Sequence, residues 1–236
     1  MTKDYIAEKF ISSGIDIDEK RASMFALYCD MLVSWSGKMN LTSVTDEKEI
    51  VSRHFIDSLL PLRSDFVTRD AVCADIGTGA GFPGVPVAIM RPDTDMYLID
   101  SLKKRLVFLD AVIRELGLEN CRTLHTRAED AAKGELREKF DIVFSRAVAR
   151  TATLAELCLP LVKEGGLMLA LKSTTAREEL EEAGAAIETL GGREEQIFGT
   201  DDRNMIVIRK TGKTPLSFPR KAGKAACDPI LRKHEK

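Results

Sequence analysis

From Ala71 onward, short apolar runs alternate with amphipathic stretches, and this alternation restricts the chain to a few architectures. Ala71–Gly77, Met96–Asp100, Phe140–Arg146 and Gly165–Lys172 each have the length and composition of one buried strand. Between them Gly84–Met90, Leu102–Leu116, Thr151–Val162 and Thr175–Leu190 carry helical spacing, and Cys121–Thr126 reads as a further strand. Repetition of this kind predicts a parallel sheet with crossover helices on both faces. The pattern ends differently. Glu194–Gly199 and Asn204–Lys210 follow one another with no helix between them, which predicts an antiparallel hairpin on the sheet edge. The expected fold class is α/β, a mostly parallel seven-stranded sheet with an antiparallel final hairpin.

Ahead of the sheet, Met24, Leu27, Tyr28, Met31, Leu32 and Trp35 recur at helical spacing and predict one apolar helix face. A second helix is expected to start at Asp46, with Glu49 three residues on as in a capping box, Val51, Phe55 and Leu59 as its buried stripe, and Pro61 after its end. Three segments follow: a helical cap over residues 1–65, a sheet domain over 66–212, and a basic tail over 213–236. The 236 residues suffice for one sizeable core with a small appendage.

Composition mainly excludes. No apolar run is long enough to cross a bilayer, and the first ten residues carry charges with no apolar signal core, so a cytoplasmic location is expected. Five scattered cysteines with no Cys-x-x-Cys pair, and only three histidines, argue against a metal site. No feature calls for more than a monomer. The net charge of −2 speaks against nucleic acid, but its distribution does not. Residues 203–236 hold ten Lys or Arg against two Asp or Glu, whereas the rest holds 25 basic and 35 acidic residues. Such a basic end is either a solvated tail or positive potential beside one edge of the fold.

The strongest local feature is Asp75-Ile-Gly77-Thr-Gly79-Ala-Gly81-Phe82-Pro83-Gly84, directly after the first sheet strand. Alternate glycines let the backbone turn sharply and let a ligand lie against the main chain. A literal dinucleotide fingerprint exists as Gly79, Gly81 and Gly84, so a nicotinamide or flavin cofactor has to be weighed. The fingerprint's first glycine belongs at the strand end, however, and that place is Gly77. The Asp-x-Gly-x-Gly-x-Gly arrangement is the form typical of S-adenosylmethionine binders. Asp100 ends the second strand, where a carboxylate can accept hydrogen bonds from both hydroxyls of a ribose, or simply cap the next helix. Ala128 and Glu129 follow the third strand at the edge where ligands of such sheets collect.

Asn40–Leu60 (NLTSVTDEKEIVSRHFIDSLL), Asp75–Gly84 (DIGTGAGFPG), Leu98–Leu109 (LIDSLKKRLVFL), Ser145–Ala149 (SRAVA) and Thr214–Gly223 (TPLSFPRKAG) together resemble the bacterial 16S rRNA guanine-N7 methyltransferases, the glucose-inhibited division protein B family. The similarity spans nearly the whole chain in order. It implies a Rossmann-like class I methyltransferase fold and cofactor contacts at Gly77, Phe82, Ala128, Glu129 and Arg146. It also implies as partner the small ribosomal subunit, with a target guanine in the 530 loop of its 16S rRNA. Two positions depart from the family's usual pattern: Trp35-Ser36 stands for Trp-Asn, and Leu171-Lys172-Ser173 for Leu-Lys-Gly.

The residues themselves suit that chemistry. Guanine N7 carries a lone pair and no proton, so its methylation needs alignment and no general base. Ser145-Arg146-Ala147 stands where methyltransferases acting on exocyclic amines place an Asn/Asp-Pro-Pro-aromatic motif. Arg146 is the candidate catalytic residue, able to meet a carboxylate or phosphate with both arms of its guanidinium. Gly77, Gly79, Gly81, Phe82, Asp100, Ala128, Glu129 and Arg146 are the candidate cofactor residues. His54 is placed on the RNA side with Asp57 close by, although a His–Asp pair fixing a helix to the sheet would look the same. Lys172, Arg203, Arg220 and Lys221 are the candidate phosphate contacts. The competing readings are a nicotinamide-dependent oxidoreductase, a small-molecule methyltransferase, and a non-catalytic RNA-binding module.

Overall fold

The computed structural model describes residues 1–39, 41–199 and 203–231; Asn40, the first residue of the Asn40–Leu60 motif, lies outside them. Three helical pieces precede the sheet: α1 (Lys3–Ser12), α2 (Glu19–Met39) and α3 (Glu47–Ile50). The last continues into a π-helical turn over Val51–Ile56. The sheet domain follows as β1 (Val72–Ile76), α4 (Gly84–Met90), β2 (Asp95–Asp100), α5 (Lys103–Leu116), β3 (Cys121–His125), α6 (Ala128–Ala131), β4 (Phe140–Arg146), α7 (Thr151–Cys158), β5 (Val162–Lys172), α8 (Ala176–Thr189), β6 (Gly192–Gly199) and β7 (Asn204–Lys210). A short helix, α9 (Lys224–Cys227), lies in the C-terminal segment.

The seven strands run in the order β3-β2-β1-β4-β5-β7-β6. The first five are parallel, and β7 is antiparallel to both its neighbours, as the alternation and its ending predict. Period-two alternation divides the core. Cys73, Ile142, Phe144, Leu169 and Val207 face the layer formed with α1, α2, α4 and α5. Ala74, Val143, Met168, Ala170 and Ile206 face α7 and α8. Strand order reverses between β1 and β4, so the loops leaving these two strands diverge and open a crevice at their carboxyl ends.

The cap differs in detail from its expected form. On α2 the buried line is Ala22, Phe25, Tyr28, Cys29 and Leu32, while Leu27 is 41% exposed. The helix is rotated so that its aromatic residues, the larger apolar surfaces, face inward. Phe10, Phe25, Phe55, Tyr28 and Phe82 then form a continuous chain with ring centroids 4.8, 5.1, 5.2 and 5.7 Å apart, joining α1 and α2 to the glycine turn. Asp46 caps α3 as expected, its Oδ1 accepting from the Glu49 amide at 2.9 Å. The helix beyond it widens instead of continuing as α, and Arg53 and His54 lie in the wide turn.

The C-terminal segment is packed against the body as far as it is described. Arg137 donates to the carbonyls of Thr214 and Phe218 at 2.7 and 2.8 Å. Arg220 meets the buried Glu156 with both arms. Thr153 Oγ1 donates to Ala225 O, and the Gly223 amide donates to Glu129.

Candidate functional site

The glycine turn is built by the strand that precedes it and by the cap. Asp75 is fully buried; its Oδ2 accepts from Thr78 Oγ1 at 2.7 Å and from the Gly84 amide at 2.9 Å, closing the turn. Its Oδ1 has no hydrogen-bond partner among the described residues, and burial pushes the carboxyl up to about 6. Tyr28, reaching over from α2, donates its hydroxyl to Ala80 O. Gly77, Gly79 and Gly81 all take positive φ values (67°, 61° and 102°), but their surroundings differ. A Cβ at Gly81 would lie 2.7 Å from Tyr28 Oη and 2.7 Å from Val85 Cγ2, so this glycine admits the packing of cap against turn. A Cβ at Gly77 would lie 2.6 Å from Val148 Cγ2, on the loop after β4. At Gly79 the nearest atom would be 3.8 Å away.

Beside the turn lies a cavity of about 410 Å³, lined by Ile76, Gly77, Ile99, Asp100, Ala128, Glu129 and Leu157 among others. Apolar side chains face two carboxylates across it, and Ser101, Arg105, Thr126 and Arg127 complete a mixed lining that fits a nucleoside. Asp100 Oδ1 accepts from the Leu102 amide at 2.8 Å, and Oδ2 from the Gly79 amide at 3.0 Å and from Arg105 Nη1 at 3.2 Å. The carboxylate is thereby fixed at the end of β2, and Oδ1 keeps acceptor capacity toward the cavity. Glu129 is oriented by the Gly223 amide at 3.0 Å, so the C-terminal segment helps shape this wall.

A larger cleft of about 850 Å³ lies on the other side of the β4 loop. It is lined by the wide helical turn (Arg53, His54) and Asp57 just after it, by Arg146 at the end of β4 and the loop that follows (Ala147–Arg150), by Leu171 and Lys172 of β5 with Ser173, and by Arg203 and Asn204 where β7 starts. Ala147 and Val148 line both cavities and form the partition between them. Ala147 adopts φ 56°, a left-handed conformation that turns the loop sharply, and Val148 is 39% exposed.

Arg146 ties this partition to the cap. Its guanidinium donates to Arg53 O at 2.6 Å, His54 O at 3.3 Å and Ser58 Oγ at 3.3 Å, and lies 3.1 Å from His54 Nδ1. Nδ1 also lies 3.2 Å from Arg53 O, and Nε2 lies 2.8 Å from Thr42 Oγ1, so both ring nitrogens are engaged. Burial, then the Arg146 charge, pushes His54 down to about 4, so its ring is neutral at physiological pH. The ring also stacks on Phe82, with centroids 4.8 Å apart.

Gly77, Asp100, Ala128 and Glu129 therefore converge on the smaller cavity, whereas His54, Arg146, Lys172 and Arg203 converge on the larger. Gly79 reaches the first only through its amide bond to Asp100, and Gly81 and Phe82 serve the cap–turn packing. Lys172 donates to Ala149 O and Glu179, both at 2.7 Å. Arg203 lies 2.8 Å from Asp57, and Arg220 is held by Glu156 and Asp228. Lys221 is exposed and makes no ion pair among the described residues. Val148 and Thr42 lie within the motifs quoted above, but their residue types gave no sign that Val148 forms a partition or that Thr42 meets His54.

No group of three or more His, Cys, Asp or Glu side chains among the described residues is arranged to hold a metal, and no described helix is long and apolar enough to cross a membrane. Residues 21–206 match the family rRNA small subunit methyltransferase G. The chain is 46% identical over 226 residues to ribosomal RNA small subunit methyltransferase G of Clostridium perfringens, covering 93% of this chain and 95% of that protein. It is 47% identical over 229 residues to the protein of the same name from Lachnoclostridium phytofermentans, covering 94% and 95%. Among solved structures, an S-adenosylmethionine-dependent methyltransferase from Aquifex aeolicus superposes with a TM-score of 0.53 at 18% identity, covering 68% of this chain and 92% of that one. The Methanococcus jannaschii fibrillarin pre-rRNA processing protein superposes with a TM-score of 0.50 at 20% identity, covering 62% and 69%. These two likenesses show the fold: the seven-stranded sheet is that of the class I methyltransferases.

Proposed function

The chain belongs to the rRNA small subunit methyltransferase G family, and from that premise we propose that it methylates N7 of a guanine in the 530 loop of 16S rRNA. The family and the fold make it an S-adenosylmethionine-dependent enzyme. The observation that carries the finer reading is the pair of cavities meeting at Ala147 and Val148, one sized and lined for a nucleoside cofactor, the other open to a nucleobase.

Asp100 holds the cofactor's ribose hydroxyls through its remaining acceptor capacity. Ile76, Ile99, Ala128 and Leu157 enclose the adenine, and Gly77 lets the chain approach closely at the partition. S-adenosylmethionine, when bound, supplies an electrophilic methyl group. On the RNA side no residue has to take a proton, because guanine N7 carries none, and the neutral His54 and the bonded Arg146 suit a positioning role. Arg146 fixes the partition against the wide turn, so cofactor pocket and acceptor cleft keep one relative placement. Lys221, and the exposed face of the Arg203 guanidinium beside Asp57, contact RNA phosphates; Lys172 and Arg220, both paired with buried carboxylates, stiffen the surface around them.

Small subunits from cells lacking this protein, incubated with the enzyme and labelled S-adenosylmethionine, test the reading. Label recovered as 7-methylguanosine from the 530 loop supports it. Label in another nucleoside or another segment of the RNA refutes the assigned target. Binding of cofactor with no transfer to any subunit preparation refutes the RNA reaction.

A further inference from the structure

We infer that Asp57 selects guanine, its carboxylate accepting the N1–H and N2–H donors of the target base. The inference rests on the guanine-N7 reading above and concerns how that base is recognised.

A base entering the larger cleft meets two carboxylates among the described lining residues, Asp57 and Glu179. Glu179 is committed: Oε2 accepts from Lys172 Nζ at 2.7 Å and from the amide and hydroxyl of Thr151 at 3.0 Å each, and Oε1 accepts from Thr175 Oγ1 at 3.1 Å. Asp57 is not. Arg203 Nε lies 2.8 Å from its Oδ1, yet at an angle that forms no hydrogen bond, and this buried oxygen has no hydrogen-bond donor among the described residues. About a quarter of the side chain is accessible. Asp57 thus presents its accessible oxygen, Oδ2, to the cleft with unfilled acceptor capacity, while the guanidinium beside the buried Oδ1 compensates the charge. Burial pushes its carboxyl up from the usual range, with Arg203 and then Arg146 opposing the shift.

The chemistry of the base completes the case. Guanine places two donors side by side on its six-membered ring, an edge that the accessible oxygen of an ionised carboxylate can accept. Adenine presents a lone pair at N1 instead, which a carboxylate repels. Those donors lie across the purine from N7. Asp57 correspondingly lines the acceptor cleft but not the cofactor cavity, while Ala147 and Val148 line both. A guanine anchored at Asp57 by its far edge directs its five-membered ring away from that anchor, and the partition supplies the surface it has to reach.

Inosine keeps N1–H and N7 and lacks the N2 amine, so it deletes one of the two donors. Small subunits reconstituted with guanosine or inosine at the target position are methylated by wild-type enzyme and by Asp57→Asn, and kcat/KM is compared. Loss of a hydrogen bond to a charged acceptor predicts a penalty of about ten- to a hundredfold for inosine with the wild type. With Asp57→Asn, guanosine is already impaired and the inosine penalty shrinks to within about threefold. Equal inosine penalties in both enzymes overturn the inference, since a latch between cap and sheet would slow both substrates alike. Should Asp57→Asn fail to fold, the wild-type arm decides: no inosine penalty overturns the inference, and a penalty supports it. No transfer to guanosine itself refutes the guanine-N7 reading and the inference with it, an outcome distinct from both.

Discussion

Alanine at Gly81 should strongly destabilise the protein, and alanine at Gly77 should cost it the cofactor. At Gly81 the φ of 102° disfavours any L residue by about 1–2 kcal/mol. The new Cβ would lie 2.7 Å from Tyr28 Oη, 2.7 Å from Val85 Cγ2 and 2.9 Å from Leu109 Cδ2, all inside the packed junction of cap and sheet. Overpacking of this kind costs about 1–3 kcal/mol. Displacing Tyr28 also strains its hydroxyl bond to Ala80 O, worth about 1 kcal/mol. The sum is about 3–6 kcal/mol, or a fall in melting temperature of about 10–20 °C for a chain of this size. At Gly77 the φ of 67° carries a similar backbone cost, but the one close neighbour is Val148, whose side chain is partly exposed on a loop and can turn aside. Stability there should fall by only about 1–2 kcal/mol. The displaced Val148 and the added methyl group both crowd the cofactor cavity. Urea unfolding, with calorimetric titration of S-adenosylhomocysteine, separates the two variants. A Gly81→Ala protein with wild-type stability and selectively weakened cofactor binding would refute the division of labour within the turn.

Three further outcomes follow from the same geometry. Arg146→Ala should fold but lose roughly a hundredfold in turnover, because the partition is no longer tied to Arg53 and His54; normal single-turnover rates in the folded variant would remove its role. The Asp75 carboxyl, raised to about 6 in the fold from an ordinary 3.8, binds its proton earlier in the folded state than in the unfolded one. Its contribution is therefore present at low pH and lost as pH rises through about 6. Relative to Asp75→Asn, the wild type should gain about 2 kcal/mol between pH 7 and 4 in urea titrations. His54, lowered to about 4, acts in the opposite direction and cancels in that difference. Tyr28→Phe should cost about 1–3 kcal/mol, since Ala80 O is left without this donor, and should weaken cofactor binding in the same titration.

The sheet was legible because its signals are local. Strand length, glycine placement and the missing helix before β7 depend on residues close in sequence, and all reappear in the structure. Much of the site was not legible for the opposite reason. Basic composition cannot show that Arg220 is held by Glu156 or Arg203 by Asp57, because partners 64 and 146 residues away are brought together only by the fold. Helical periodicity placed Arg53 and His54 on a helix but held no sign of the π-helical turn that presents their carbonyls to Arg146. The three glycines looked alike in sequence, and only their neighbours distinguish a cavity floor at Gly77 from a packing site at Gly81. Asp100 and Glu129 were found by position at strand ends, where topology alone directs side chains to the crevice.

The most direct test of the central claim replaces one atom of the acceptor. Small subunits reconstituted with 7-deazaguanosine at the target position retain the guanine pairing edge but carry C–H in place of N7. Single-turnover transfer from labelled S-adenosylmethionine should proceed on the guanosine subunit and be absent on the 7-deaza subunit, with both bound equally well. Transfer of label to the deaza-substituted nucleoside would contradict N7 as the acceptor.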